Sequence, residues 1–265
     1  MKLSITLVNH NQKYFPRMCV ESLQKSKTDF EYEIIVVDND SHDESLDYLE
    51  KAAENQELTL IKSDKNLGYG RANNLAAKSA KGEYILIMNE DITVEPDTIQ
   101  KMVDHLEKNP EIGILAPRLV YHNGDTQESC RRNMTFMDLV LKRTPLRYLP
   151  PFKKRYERSL MRDFNHKTTR EVDLLVGAFL MMPKKIFDQV EGFDERYFLF
   201  MEDFDLCRKI WDKGLKVVYF PEAEAVHYHK RLSGGSFLGQ FTKKVFWLHV
   251  ASSLKYFWKW RGESR

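Results

Sequence analysis

Two groups of neighbouring carboxylates stand where a folded chain would not leave them idle. Asn89-Glu90-Asp91 closes the apolar run 85–88, and Glu202-Asp203 follows the aromatic stretch 197–200. Half-buried carboxylates lose hydration and repel one another, so they need a cation, a hydrogen-bond donor or a substrate hydroxyl beside them. The first group has the oxygen chemistry of a Mg2+ or Mn2+ site, in which waters and substrate phosphates complete the shell and one or two protein carboxylates suffice. A diphosphate leaving group held there would have its developing charge neutralised as its bond breaks. The second pair suits general-base catalysis on a hydroxyl, one carboxylate reacting while the other anchors the loop. The competing explanations are a plain acidic turn and carboxylates that complement a helix dipole.

Two further features carry chemistry. His227 and His229 alternate, so they share one face of a strand, just before Ser233-Gly234-Gly235-Ser236. No other His or Cys is near enough to make a zinc site. That leaves one imidazole completing a Mn2+ shell with the glycine loop over phosphate, or two ordinary histidines. Gly68-Tyr69-Gly70 lacks the third glycine and the preceding strand of a dinucleotide fingerprint. With Asn66 before it and Arg71, Asn73 and Asn74 after, it offers backbone donors and amides at a helix start, or simply a turn.

These residues are positioned by short, largely apolar segments. Residues 3–8, 33–37, 58–61 and 84–88 read as strands too short for helices. Amphipathic or alanine-rich stretches at 17–26, around Leu46, Leu49 and Ala53, and at 71–80 read as helices between them, the second opened by a capping box of Ser41 and Glu44. That alternation predicts an α/β fold with a mostly parallel central sheet flanked by helices. Continuous apolar strands predict cover on both faces. Val8-Asn9, Val37-Asp38 and Met88-Asn89 then end together, at the strand termini where open α/β sheets bind ligands. Pro96 suits the first turn of a helix running to about 108, 112–117 is a further strand, and a helix over 204–213 stops at Gly214 before a strand at 217–220.

The 265-residue chain is 42% hydrophobic and 30% charged with a net charge of +2, a globular composition with no general drive to bind nucleic acid. Three scattered cysteines and a start too quickly polar for a signal peptide predict reduced thiols and a cytoplasmic location. Residues 121–170 depart from the sheet pattern, interleaving basic and aromatic residues with Pro145, Pro150 and Pro151, and read as a helical or irregular insertion. The tail, 241–265, reads as an aromatic-basic helix. Lys243, Lys244, Trp247, Lys255, Trp258 and Lys259 suggest peripheral contact with an anionic membrane. A solvated face or a homodimer contact is the other use of the insertion.

Taken in order, Val8-Asn9-His10-Asn11, Val36-Val37-Asp38-Asn39-Asp40-Ser41, Asn66-Leu67-Gly68-Tyr69-Gly70, Asn89-Glu90-Asp91, Gly177-Ala178, Gly192-Phe193-Asp194-Glu195, Glu202-Asp203 and His227 resemble the inverting glycosyltransferases of family 2, of GT-A fold. Within that family the series is most similar to the rhamnosyltransferase-like branch of bacterial cell-surface polysaccharide synthesis. The resemblance implies a Rossmann-like GT-A domain over 1–240, with a nucleotide-sugar half at 1–117 and an acceptor half at 118–240. It implies Asn9 and Asp38 around base and ribose, and Asn66, Gly68 and Gly70 beside the sugar nucleotide, with Asp40, Asn89, Glu90 and Gly177 also toward substrate. It further implies Asp91 as ligand to Mg2+ or Mn2+, His227 approaching metal or diphosphate, Asp203 as catalytic base and Glu202 as its neighbour. Asn89 stands in place of the first aspartate of the family's DXD motif, and Asp40 where a small or neutral residue is more usual.

The expected activity is inverting transfer of a sugar, with dTDP-rhamnose the first choice of donor and a saccharide or lipid-linked hydroxyl as acceptor. A nucleotidyltransferase would need a basic, glycine-rich loop after the first strand, where this chain has Asn9-His10-Asn11-Gln12. A degenerate, non-catalytic nucleotide-sugar scaffold is the remaining alternative.

Overall fold

Continuous apolar strands stay buried only if helices pack on both sides of the sheet, and they do. The computed structural model describes residues 1–228 and 239–262. In its first half β1 (Leu3–Asn9), α1 (Phe15–Gln24), β2 (Tyr32–Asn39), α2 (Ser45–Glu54), β3 (Thr59–Ser63), α3 (Tyr69–Ser79) and β4 (Tyr84–Asn89) alternate as the pattern predicts. Strand β5 (Ile92–Val94), α4 (Thr98–Lys108) and β6 (Ile112–Val120) follow. The insertion holds β7 (Cys130–Arg131), α5 (Phe136–Arg143), a 3-10 turn at Pro145–Tyr148, α6 (Pro150–Ser159) and β8 (Arg170–Glu171). The chain continues through β9 (Leu174–Leu175), β10 (Phe179–Pro183), α7 (Lys184–Gln189), α8 (Glu202–Asp212), β11 (Lys216–His227) and α9 (Lys244–Lys259).

The central sheet runs β3-β2-β1-β4-β10-β6-β11-β5, with β8 alongside β11. Side chains alternate across each strand: Ile34 and Val36 join the core that includes Leu3, Ile5 and Leu7, while Ile35 and Val37 meet Ala72 and Ala76 of α3 on the other face. Each such aliphatic side chain contributes about 1.5–3 kcal/mol by leaving water. Residues of the insertion, among them Met134, Leu139 and Phe164, pack into the core formed by the other face of the sheet, so the insertion builds no separate core.

The α/β class and the helix-flanked sheet are as expected, with strands β3, β2, β1 and β4 parallel. The second half is mixed, because β10 runs antiparallel to β4 and β6, and β5 antiparallel to β11. The antiparallel pairing matters for the site: it brings the start of β10 to the rim where β4 ends, with Phe179 opposite Met88. Local details differ from expectation. Ser41 does not cap α2; the helix begins at Ser45 after Glu44 without a side-chain cap, and the Ser41 hydroxyl accepts from Asn9 and from the Asn11 backbone. Pro96 lies outside α4, whose N-cap is Asp97. Strand β11 passes through Pro221 to His227 instead of stopping at 220, and Gly214 follows α8 with φ +74°, as a C-terminal glycine should. Among the described residues no helix is long and apolar enough to cross a membrane.

Candidate active site

Asp91 and His227 meet because β5 and β11 pair. Ile92 lies opposite His227, the Tyr228 N–H donates to the Asp91 carbonyl at 2.8 Å, and the Asp91 carboxylate comes 3.2 Å from His227 Nε2. Behind the imidazole, the Gln127 side chain grips one residue twice. Its Nε2 donates to the His227 carbonyl at 2.8 Å, and its Oε1 stands 2.9 Å from His227 Nδ1. With Nδ1–H donating to Gln127, the ring directs Nε2 at a carboxylate oxygen of Asp91. Two acceptor atoms at that distance require a proton or a cation between them. Imidazole plus carboxylate is a donor set that fits Mn2+ or Mg2+ completed by water and phosphate oxygens, with Gln127 as the outer support that fixes the ring. Among the described residues no cluster of three or more His, Cys, Asp or Glu is set to hold a metal. His229 and the Ser233-Gly234-Gly235-Ser236 loop lie outside the described residues.

At the adjoining strand ends the polar residues are knitted to one another. Asn9, fully buried, directs Nδ2 to Asp38 Oδ1 at 2.9 Å, Ser41 Oγ at 3.0 Å and Ser45 Oγ at 2.8 Å. Its Oδ1 is buried without a partner, as is Glu90 Oε2. Buried acceptors left without donors are costly, so each of these atoms is a place where a ligand N–H or O–H would be stabilised. Burial pushes the Glu90 carboxyl well above the usual range against the His10 N–H that accompanies it, and the charges of Asp91 and Asp38 add to the rise. Asp38 takes the Ser41 N–H on its second oxygen, and Asp40 sits with φ +68° beside His42. Asn66 Oδ1 accepts from Asn39 and from the Gly68 N–H, so Asn66 shapes the glycine loop from within.

The glycines act through space they leave open. A Cβ on Gly68, whose φ is +81°, would stand 2.2 Å from the Phe198 carbonyl oxygen, and one on Gly70 would meet the Cβ of Phe193 at 3.0 Å. The loop therefore nests against 193–198, fastened by the Tyr69 N–H on the Phe198 carbonyl. Gly177 is similarly confined: its N–H donates to Asp203 Oδ2 at 2.8 Å, and a Cβ there would come 2.9 Å from the Asp203 Cβ.

Consecutive peptides thus join both acidic groups. Gly177 holds Asp203, while the Ala178 carbonyl accepts the Asn89 N–H at 2.8 Å. The Tyr69 hydroxyl donates to the Gly177 carbonyl at 2.8 Å; burial and the charges of Glu202, Asp203 and Asp91 all push that phenol up. Glu202 and Asp203 open α8 directly after Phe200 and Met201, both left-handed at φ 70° and 73°. For non-glycine residues that conformation costs about 1–3 kcal/mol each and persists where surrounding packing enforces it. The two carboxyls differ. Asp203 accepts two N–H bonds, from Gly177 and Phe204, which favour its anion. Glu202 is buried with Oε2 unpartnered, and desolvation together with the charge of Asp203 pushes it to about 8. Burial raises Asp203 as well, so the two carboxyls titrate as a coupled pair, with Glu202 the more strongly raised.

Helix α9 braces this loop. Ser252 bonds the Leu199 carbonyl, Lys255 the Arg196 carbonyl, and the Phe200 ring meets His249 at 4.9 Å. Lys259 and Trp260 reach the fully buried Asp205 at 2.7 and 2.8 Å, Lys259 also pairing with Asp194. Burial works to raise Asp194, and its bonds to Arg196 and Lys259 overcome this, holding it well below the usual range. Tyr69 and Gln127 were not anticipated as site residues. Tyr69 had a signal in its place between two glycines; Gln127 had none.

Comparison with known proteins adds relationship to this geometry. The model of a family described as glycosyl transferase family 2 matches residues 4–191, and one described as the N-terminal domain of galactosyltransferase matches 158–231. The N-acetylglucosaminyl-diphospho-decaprenol L-rhamnosyltransferase of Mycobacterium tuberculosis is 30% identical over 191 residues, covering 67% of this chain and 61% of that protein. The chain thus matches about six tenths of that relative's length. Rhamnosyltransferase WbbL of Escherichia coli is 26% identical, over 95% of this chain and 91% of that protein. Among solved structures, GalNAc-T7 with UDP, GalNAc and Mn2+ superposes with a TM-score of 0.72 at 17% identity, over 99% of this chain and 48% of that one. S. aureus TarS 1-349 in complex with UDP-GlcNAc gives 0.59 at 20%, over 90% and 61%. At those identities the structural likeness is one of fold.

Proposed function

The chain belongs to glycosyltransferase family 2, and on that premise we propose that it is an inverting rhamnosyltransferase, moving rhamnose from dTDP-rhamnose to a hydroxyl of a lipid-linked saccharide in cell-surface polysaccharide synthesis. The rhamnosyltransferase relatives, one named for a diphospho-decaprenol acceptor, support the sugar and the acceptor class. The observation that carries the catalytic reading is that the end of β4 at Asn89, which leads into Asp91 and its partner His227, is tied to Asp203 through the adjacent Gly177 and Ala178 peptides.

In this reading Asn9 and Asp38 line the base and ribose pocket with Asp40 at its margin, and the orphaned Asn9 Oδ1 accepts from the base. Asn66, Gly68 and Gly70 keep the sugar-nucleotide loop close, while Asn89 and Glu90 face ribose and sugar. Asp91 and His227 hold Mg2+ or Mn2+, which when bound supplies positive charge against the departing diphosphate. Asp203, held by Gly177, takes the proton of the acceptor hydroxyl as that oxygen forms its bond to the anomeric carbon; the bond to the diphosphate breaks with its electron pair, and configuration inverts. Glu202, neutral near pH 7, spares Asp203 a second anion at its side. Desolvation raises Asp203 and brings it nearer the working pH of a base.

The test is transfer across a panel of dTDP-, UDP- and GDP-sugars with Asp203→Asn and Asp91→Ala. Each is expected to lose at least 100-fold in rate, in line with about 10²–10⁴ for a general base. Near wild-type transfer by either would remove that residue from its role. Thermal shift with nucleoside diphosphates, with and without Mn2+, fixes base and metal together.

A further inference from the structure

Helix α9 has two unlike faces. Its inner face, with Phe246, His249, Ser252, Ser253 and Tyr256 buried, grips the Glu202–Asp203 loop as described above. Its outer face carries Trp247, Ala251, Leu254 and Trp258, all exposed, the three large side chains at 56%, 56% and 61%. At about 100° per residue these four fall within an arc of about 60°. A surface helix of a globular protein ordinarily turns its polar side to water; here the exposed strip is apolar, and it ends in aromatic rings with Arg261 stacked 4.6 Å over Trp258.

The surroundings are basic. Helix α5 runs beside α9 in the opposite direction, Phe136 touching Phe257 at 5.8 Å and Arg143 lying 5.6 Å over Phe246. Residues 139–156 and 241–261 together hold eleven of the 41 Lys and Arg and none of the 39 Asp and Glu, so the rest of the chain carries a formal charge of −9. Of the twelve large apolar side chains exposed among the described residues, eight lie in 136–149 and 247–258.

We propose that the outer face of α9 docks on an anionic lipid surface, with Trp247, Leu254 and Trp258 entering the headgroup boundary and the basic α5–α6 segment beside it meeting the lipid charge. A second copy of the chain fits worse, because a symmetric contact would set like charge against like, with only Asp138 and Glu157 of α5 and α6, already paired to Arg155 and Lys153, among the eleven basic residues. The proposal deepens the lipid-linked acceptor reading and rests on it: α9 would hold the loop of Asp203 at the surface in which such an acceptor is anchored.

The experiment is co-sedimentation of the full chain with phosphatidylcholine vesicles and with vesicles containing 30% phosphatidylglycerol, at low and high salt. Wild type should sediment with the anionic vesicles at low salt and be released by salt. L254E and W258E, singly and together, should bind at least tenfold less while melting within a few degrees of wild type and transferring sugar to a soluble acceptor at the wild-type rate. A charge-reversed pair, Lys153→Glu with Lys154→Glu, should weaken binding without touching α9. Failure of wild type to bind anionic vesicles, equal binding by L254E/W258E, or a concentration-dependent dimer that these substitutions dissociate while vesicle binding persists would each overturn the docking. Failure of the wild type to bind vesicles, with its transfer to a soluble acceptor intact, speaks only against the surface. Absence of transfer to any acceptor, with vesicle binding intact, speaks only against the proposed reaction.

Discussion

Replacing Lys259 with Met should cost this protein more than any other single charge removed outside the strand-end rim. Asp205 is fully buried in the first turn of α8, and its partners are Lys259 at 2.7 Å, Trp260 at 2.8 Å, Tyr197 at 3.4 Å and Lys209 at 3.8 Å. Removing one partner of a buried pair leaves an uncompensated charge and costs about 3–5 kcal/mol. Trp260 and Lys209 remain, so the low end applies, about 3 kcal/mol. For a chain somewhat above 250 residues each kcal/mol lowers Tm by about 2–4 °C, which gives a fall of about 6–12 °C by calorimetry. Urea unfolding should show a lower midpoint at unchanged slope. The double variant Asp205→Asn/Lys259→Met should recover part of the loss, and the non-additivity isolates the pair. A loss below about 1 kcal/mol, or strictly additive single and double variants, would refute the claim that α9 is fastened through Asp205.

Other outcomes follow from geometry already given. Gly177→Ala drives a Cβ to 2.9 Å from that of Asp203 and should cut the transfer rate at least tenfold with nearly unchanged donor affinity, read from kcat and from nucleotide titration. Gln127→Leu removes the support behind His227 and should weaken Mn2+ affinity about 10–100-fold, measured by electron paramagnetic resonance on enzyme without substrate; unchanged affinity would take Gln127 out of the site. His249 is pushed down to about 3 by burial and by the charges of Lys142 and Arg143, so the unfolded chain binds its proton first. Stability should therefore fall as pH drops from about 6.5 toward 3, by at most about 1.4 kcal/mol per pH unit from this group. His249→Phe should flatten the Tm profile across that range.

The parallel half of the fold was legible because β1, β2 and β4 are covered on both faces and read as short, largely apolar runs, while the edge strand β3 is more exposed. Asn9, Asp38 and Asn89 were legible for the same reason, as abrupt polar ends to such runs. What escaped depended on contacts distant in sequence. Three-residue β5 is too short to carry a period, yet its pairing with β11 is what carries His227 to Asp91. Gln127 meets His227 across a hundred residues and has no local pattern to betray it. Ser41 misled because its spacing to Glu44 imitates a capping box, whereas tertiary bonds to Asn9 and Asn11 claim its hydroxyl. The glycines announced close approach without saying to what; Phe198 and Asp203 are the answer.

The antiparallel strand β10 has a mechanical consequence. Because it hydrogen-bonds to β4 on one side and β6 on the other, the residues proposed for donor and acceptor are built on one uninterrupted sheet, not on two lobes joined by a hinge. Opening such a cleft by rigid-body rotation would mean tearing ladder hydrogen bonds along its middle. Under the proposed reaction, substrate entry and product escape would then fall to segments at the rim above a stiff floor.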